Sequence, residues 1–338
     1  SPPPWKLVSP EDWNDWRWQL RHRLHGAEAL FSFLEERGIH ANTSALSEAI
    51  SRYRFSAVPY YLSLVNWADP DDPVRRQCIP DSRERVDVLD LSADPFKEVA
   101  SRQTPGVVHR FSDRVLLLAT TDCAVYCRHC TRKNTLDEAL CAAGPRFDAA
   151  IDYIEGRTEV REVLISGGDP LLLPTPQLDA LLGRLLAIPH VEVLRIGTRV
   201  PVVLPMRVNV ELVAMLRRHR PLWINTQFNH PRELTQTALA ACSSLTEAGI
   251  PVSNQSVLLK GINDRVSVMR ELCAELQRNL IRPYYVFQCD PIRGISHFRT
   301  EPSVGGALER ELRAGLGGLC LPRFVADVPG APGKTPLT

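Results

Sequence analysis

Apolar runs of strand length recur along most of the chain with helical patterns between them. No other feature limits the fold as much. The runs are Val115–Ala119, Val160–Ile165, Val191–Ile196, Leu222–Thr226, Val252–Leu258 and Tyr284–Phe287. Helical periodicity fills the intervals at Phe147–Glu155, Gln177–Leu186, Val210–Arg218, Leu234–Ala248 and Val266–Leu280. The repeat is about thirty residues, the size of a βαβ unit. Strands alternating with amphipathic helices build parallel sheets through right-handed crossovers. Six such units fall short of the eight that close a barrel. The expected architecture is an α/β fold, a partial (β/α)6 TIM-like barrel, with an open doubly wound sheet as the alternative. The rhythm divides the chain into an N-terminal helical extension over 1–105, the barrel over 106–322 and a C-terminal segment over 323–338 that carries Lys334.

The extension shows helix signals and no chemical motif. Ser9-Pro10-Glu11-Asp12 reads as a helix start, with Ser at the N-cap, Pro in the first turn and acids against the dipole. Trp13, Trp16, Leu20 and Leu24 follow at helical spacing as a packing stripe, and a second helix is expected over Thr43–Ser51. Ala68–Pro80, rich in Asp and Pro, reads as a loop.

Composition excludes several functions. The chain is 44% hydrophobic and 23% charged with a net charge of +1, so electrostatics give no case for a nucleic acid or an anionic membrane. It holds no apolar stretch of membrane-spanning length. Ser1-Pro2-Pro3-Pro4 does not resemble a signal peptide. Nine cysteines without a secretion signal point to a reducing cytoplasm, and their odd number argues against a disulfide framework.

The polar residues that stand out lie at strand ends. Cys123, Cys127 and Cys130 form C-x3-C-x2-C directly after the first apolar run. Three thiolates can hold three irons of a [4Fe–4S] cluster and leave the fourth iron open to a ligand. Zinc with His129 as fourth ligand is the weaker alternative. Ser166-Gly167-Gly168-Asp169 follows the second run, where paired glycines permit close approach of backbone to a ligand or simply make a tight turn. Asn225 through His230, and Asn254-Gln255-Ser256, place polar residues in otherwise apolar strands, which costs free energy unless they face a polar ligand or one another. Lys334 sits in a Gly/Pro-rich loop. Composition alone makes it a solvated residue; the chemical alternative is a Schiff base with pyridoxal phosphate (PLP).

C-x3-C-x2-C is the pattern of the radical S-adenosylmethionine (SAM) enzymes, and here it has ordered company. Asp113-Arg114-Val115-Leu116-Leu117-Leu118, Cys127-Arg-His-Cys-Thr-Arg132, Ser166-Gly-Gly-Asp169, Thr198-Arg-Val-Pro-Val-Val-Leu-Pro205, Phe228-Asn-His-Pro231, Asn254-Gln-Ser-Val-Leu-Leu259, Gln288-Cys-Asp290, His297-Phe-Arg-Thr300 and Gly333-Lys-Thr-Pro336 follow in order. With Trp13–Gln19, Tyr60–Leu64 and Asp72–Arg75 ahead of them, almost the whole chain resembles the lysine 2,3-aminomutase family of radical SAM, PLP-dependent enzymes. The resemblance implies a radical SAM partial barrel and a cluster on Cys123, Cys127 and Cys130. SAM would bind at the open iron, with Gly167, Gly168 and Asp169 along its methionine part. PLP would be joined to Lys334, its phosphate held by Arg114 with Arg110 and Gln255 behind it. His230 falls on the cofactor side of the site. Arg132 would pair with the substrate carboxylate, and Asp290 with Asp327 would bind a cationic substrate end.

Two facing carboxylates require positive charge between them, so an ammonium or guanidinium is expected there, and the resemblance makes L-lysine the default free amino acid. Arginine, which can fork to carboxylates, or a protein-bound lysine are the alternatives. An external one-electron reductant and assembly into a homo-oligomer are also implied. The chain departs from the family at Phe287, where Tyr is expected, and at Thr131-Arg-Lys-Asn134 in place of an Arg-rich run. Arg265 replaces a zinc-ligating Cys, and the chain ends at Thr338 before the family's C-terminal tail, which implies that the structural zinc is missing.

Overall fold

A computed structural model of the chain describes residues 5–39, 42–86, 91–136, 141, 145–331 and 333–337. Ser1–Pro4, Pro332 and Thr338 lie outside them. Strands β1 (Leu24–His25) and β2 (Ser56–Ala57) form a small antiparallel ladder in the extension. The main sheet has ten strands in chain order. They are β3 (Arg102–Thr104), β4 (Val107–Phe111), β5 (Arg114–Thr120), β6 (Glu162–Gly167), β7 (Val193–Gly197), β8 (Leu222–Thr226), β9 (Val252–Leu258), β10 (Arg282–Gln288), β11 (Arg323–Ala326) and β12 (Thr335–Pro336). β5 through β11 are parallel, and antiparallel pairs flank them at both margins. The first and last strands do not pair, so the barrel is open.

All six expected strands are present. Two start later than the apolar runs, because Val160 and Val191 close turns onto Arg157 and Ile188 before β6 and β7 begin. The partial barrel is also wider than six units. β11 adds a seventh parallel strand beside β10, and β12 folds back on it. Four-residue β11 was hidden because no helix-length spacer follows it.

Helices cover the strands as their periodicity requires. In helix Thr175–Leu186, Leu178, Leu181, Leu182 and Leu185 recur every three or four residues and are all buried. One continuous core runs from Trp18, Phe33, Leu62 and Val74 of the extension into these barrel helices. The tryptophan stripe is broken in two: Asp15 ends helix Pro10–Asn14 and caps Trp16–Arg21, accepting from the N–H groups of Arg17 and Trp18. The expected loop over Ala68–Pro80 contains helix Pro73–Cys78. Asp72 caps it and Pro73 opens it, so the Asp-Pro pair is a helix start and not only a turn signal. No described helix is long and apolar enough to cross a membrane.

The extension grips the loop after β5. Val125 bridges to Ala57, the N–H of Tyr126 donates to Ser56, and the N–H of Arg128 donates to Gln77. Beneath these contacts the fully buried Glu84 carboxylate pairs with both Arg128 and Lys133. Removing one partner of a buried pair leaves charge without compensation, at about 3–5 kcal/mol. Glu84→Ala is therefore expected to lower unfolding free energy by about that amount, read from urea denaturation. A loss below ~1 kcal/mol would mean that this cluster does not clamp the loop.

Candidate active site

A cavity of about 360 Å³ opens at the C-terminal ends of the parallel strands. Cys123, Cys127 and Cys130 lie on its wall, on the loop that leaves β5, and none is in a disulfide. Gly167 and Gly168 bring the end of β6 against that loop. The N–H of Gly168 donates to Thr120 O at 2.5 Å and that of Asp169 to Asp122 O at 2.7 Å. Gly167 has φ of +121°, and a Cβ on Gly168 would collide with the carbonyl of Asp122. The close approach these glycines allow is thus to the cysteine loop itself. Asp169 ties the same corner to β7: its carboxylate accepts from Thr198 Oγ1 at 2.6 Å and from the N–H groups of Arg199, Val200 and Leu171. Ser166, Gly167, Gly168 and Asp169 line the cavity at this corner.

The donor set suits a cluster better than a single ion. One ion needs its ligands gathered around one point, and no three His, Cys, Asp or Glu side chains are so arranged among the described residues. A cluster instead takes one thiolate per iron. Nε2 of His129 accepts from the side-chain amides of Gln227 at 3.1 Å and Asn229 at 3.3 Å. Burial pushes this imidazole well below its ordinary pKa, so it is neutral.

Across the cavity lies a second group of charges. β12 sets Thr335 opposite Ala326, which brings Lys334 beside Asp327. Lys334 Nζ pairs with Asp327 Oδ2 and stands 5.3 Å from the centre of the Phe287 ring. Arg110 Nη2 reaches the other oxygen of Asp327 at 3.4 Å. Asp290 lies close by. Burial, and then the neighbouring Asp327, push its carboxyl up to about 7. Gln255 lines the same space from β9.

Sequence reasoning missed Glu98. Its carboxylate holds Arg132 by two parallel bonds, Nε to Oε2 at 2.8 Å and Nη2 to Oε1 at 2.9 Å. Asp94 fixes the turn, accepting from the N–H groups of Glu98 and Val99. No motif marks Glu98, and its partner lies 34 positions along the chain.

Three expected residues stand outside this cavity. Arg110 and Arg114 line an adjoining one of about 760 Å³ that shares Phe96 with it. The ring of His230 caps the turn Pro231–Glu233 through the N–H of Arg232, and it does not line the cavity.

No family model matches the chain. Individual relatives do. L-lysine 2,3-aminomutase of Acetoanaerobium sticklandii is 46% identical over 336 residues, spanning 98% of this chain and 80% of that protein. The enzyme of the same name from Clostridium subterminale is 46% identical over 338 residues, with the same coverage. The chain belongs to the L-lysine 2,3-aminomutase family. It is an isomerase, an amino-acid aminomutase. Glutamate 2,3-aminomutase of Clostridioides difficile is 36% identical over 97% of this chain and 77% of that protein. Among solved structures, SuiB of Streptococcus suis bound to its precursor peptide SuiA covers 68% of this chain and 52% of that chain, at 14% identity and a TM-score of 0.49.

Two outcomes follow from the aminomutase site. Gly168→Ala forces the cysteine loop away from β6, so reconstituted protein should hold less than about half the wild-type iron, since a Cβ against fixed backbone has no room to relax. Full iron would show that the loop tolerates the shift. Asp290 has a folded pKa near 7, raised from 3.8. The folded state keeps a proton that the unfolded chain releases between those values, so this group's contribution to stability falls as pH rises through that window. Asp290→Asn should flatten the decline in thermal melts between pH 5 and pH 8, about the span of the shifted group's titration.

Proposed function

We propose that this enzyme moves the α-amino group of L-lysine to the β-carbon. The observation that carries the reading is the division of charge in one cavity: an arginine edge at one place, and Asp290 and Asp327 at another. That is a receptor for an amino acid with an anionic head and a cationic tail.

Cys123, Cys127 and Cys130 would hold the [4Fe–4S] cluster, with SAM against the Gly167-Gly168 backbone. Lys334 would carry PLP, its phosphate reaching toward Arg110 and Arg114 through the space beyond Phe96. When bound, the cluster with SAM supplies a radical able to abstract hydrogen, and PLP supplies a π-system across which nitrogen migrates.

The chain's own residues do the rest. Glu98 occupies the Nε/Nη2 side of Arg132 and leaves Nη1 without a protein partner in the described structure, so that edge takes the substrate carboxylate. Asp327 Oδ2 is the near acceptor for the proton that Lys334 Nζ must release before it can bond an aldehyde. Asp290 ionises as a substrate cation arrives, since the cation supplies the charge that burial and Asp327 withhold. Leu164, Val203, Val257 and Phe287 line the same cavity and keep water from a radical. A glutamate side chain would bring no cation to Asp290 and would set a second negative charge beside Asp327. An external one-electron reductant, and assembly of two or more copies, complete the reading.

The test is anaerobic turnover of reconstituted protein with PLP, SAM and dithionite, offered lysine, arginine or glutamate separately, with products read by mass spectrometry. β-Lysine is expected. β-Arginine alone would reassign the substrate, and β-glutamate would overturn the charge argument. Glu98→Gln removes the charged acceptor behind Arg132. A charge-assisted hydrogen bond contributes about 1.5–3 kcal/mol, so KM for lysine should rise roughly tenfold or more with kcat little changed. A fall in kcat at constant KM would remove Glu98 from substrate binding.

A further inference from the structure

We propose that Arg199 tunes the reduction potential of the iron–sulfur cluster through a hydrogen bond to Cys127. Arg199 lies two residues beyond β7 and is 7% exposed. Its Nη1 donates to Cys127 Sγ at 2.8 Å. Nε donates to the carbonyl of Gln227 at 3.1 Å. Nη2 donates to Gln77 Oε1 and Glu233 Oε1, each at 2.6 Å, and lies 3.0 Å from the Tyr61 hydroxyl. Tyr61 O–H in turn donates to the same Glu233 oxygen at 2.6 Å.

These contacts leave the guanidinium one orientation. Glu233 is fully buried and balances the charge on one side, so the N–H facing Cys127 acts as a fixed donor on the other. No other side chain among the described residues donates to a sulfur of Cys123, Cys127 or Cys130. Gln77 and Tyr61 belong to the extension, which therefore reaches the cysteine loop through this group as well.

A cysteine sulfur bound to iron carries part of the cluster's negative charge. Reduction takes one electron from an external donor, breaks no bond and deepens that charge. A rigid N–H donor with a cation behind it stabilises the reduced form more than the oxidised one, and the potential rises. Arg199 is thus a positioning residue that acts through Cys127. The inference rests on the reading that Cys127 ligates the cluster.

The experiment uses wild-type protein labelled with arginine carrying 15N in the guanidinium, reconstituted and reduced with dithionite in the absence of SAM. A reduced-cluster EPR signal should show a hyperfine coupling to 15N. Absence of any cluster signal would overturn the ligation on which the inference rests. A normal signal without 15N coupling would overturn the role of Arg199 alone. This measurement needs no variant to fold. Redox titration of Arg199→Gln, at full iron content, should then give a lower midpoint. The reduced-to-oxidised ratio at fixed potential should drop about tenfold, ~59 mV for one electron. Arg199→Lys keeps the charge with one donor nitrogen and should fall between. Midpoints equal to wild type in both would refute tuning, since a purely structural arginine would not move them in that order.

Discussion

The buried Glu84 carboxylate, paired at once with Arg128 and Lys133, is the interaction on which the site depends. Arg128 lies between Cys127 and Cys130, and Lys133 lies three residues past Cys130. A carboxylate from the extension is thus shared by two cations of the cysteine loop, giving each of the three buried charges a partner. Lys133 Nζ adds bonds to the carbonyls of Arg128 and Gly294. The extension therefore forms part of the wall that holds the loop in place. From the other side the Gly167-Gly168 backbone presses on the same loop, so its path is set by charge on one flank and by steric fit on the other.

The cavity repeats this logic at lower cost to its contents. Arg132 and Lys334 in it each have a carboxylate partner, Glu98 and Asp327, and Arg110 reaches Asp327 from the adjoining cavity. Asp290 has no ion-pair partner among the described residues, and burial with the neighbouring Asp327 pushes its carboxyl up to about 7. It is the one acid of the group whose charge a substrate cation can switch on. The proposed preference for a cationic substrate rests on this imbalance more than on any single contact.

Much of the fold was legible along the chain. Periodicity located the six central strands and their helices, because burial of one face imposes it on local sequence. β11, β12 and the β3–β4 hairpin were not, since β3, β11 and β12 have two to four residues, too few for a pattern, and β4 joins β3 and β5 with no helix between. The helix at Pro73–Cys78 was lost to an Asp-Pro signal that serves turns and helix starts alike. In the site, the cysteines and Lys334 could be picked out because spacing and motif order mark them.

Glu98, Glu84 and Arg199 could not be picked out by chemistry. Each is an ordinary charged residue whose meaning comes from a partner far away in the chain. The sequence by itself determined which chemistry is available, because three thiolates at that spacing and a lysine in that motif are covalent facts. Only the tertiary structure decided which charges are spent on one another and which are left for a ligand. Pairing depends on distance in space and on exclusion of water, and neither is written in local order.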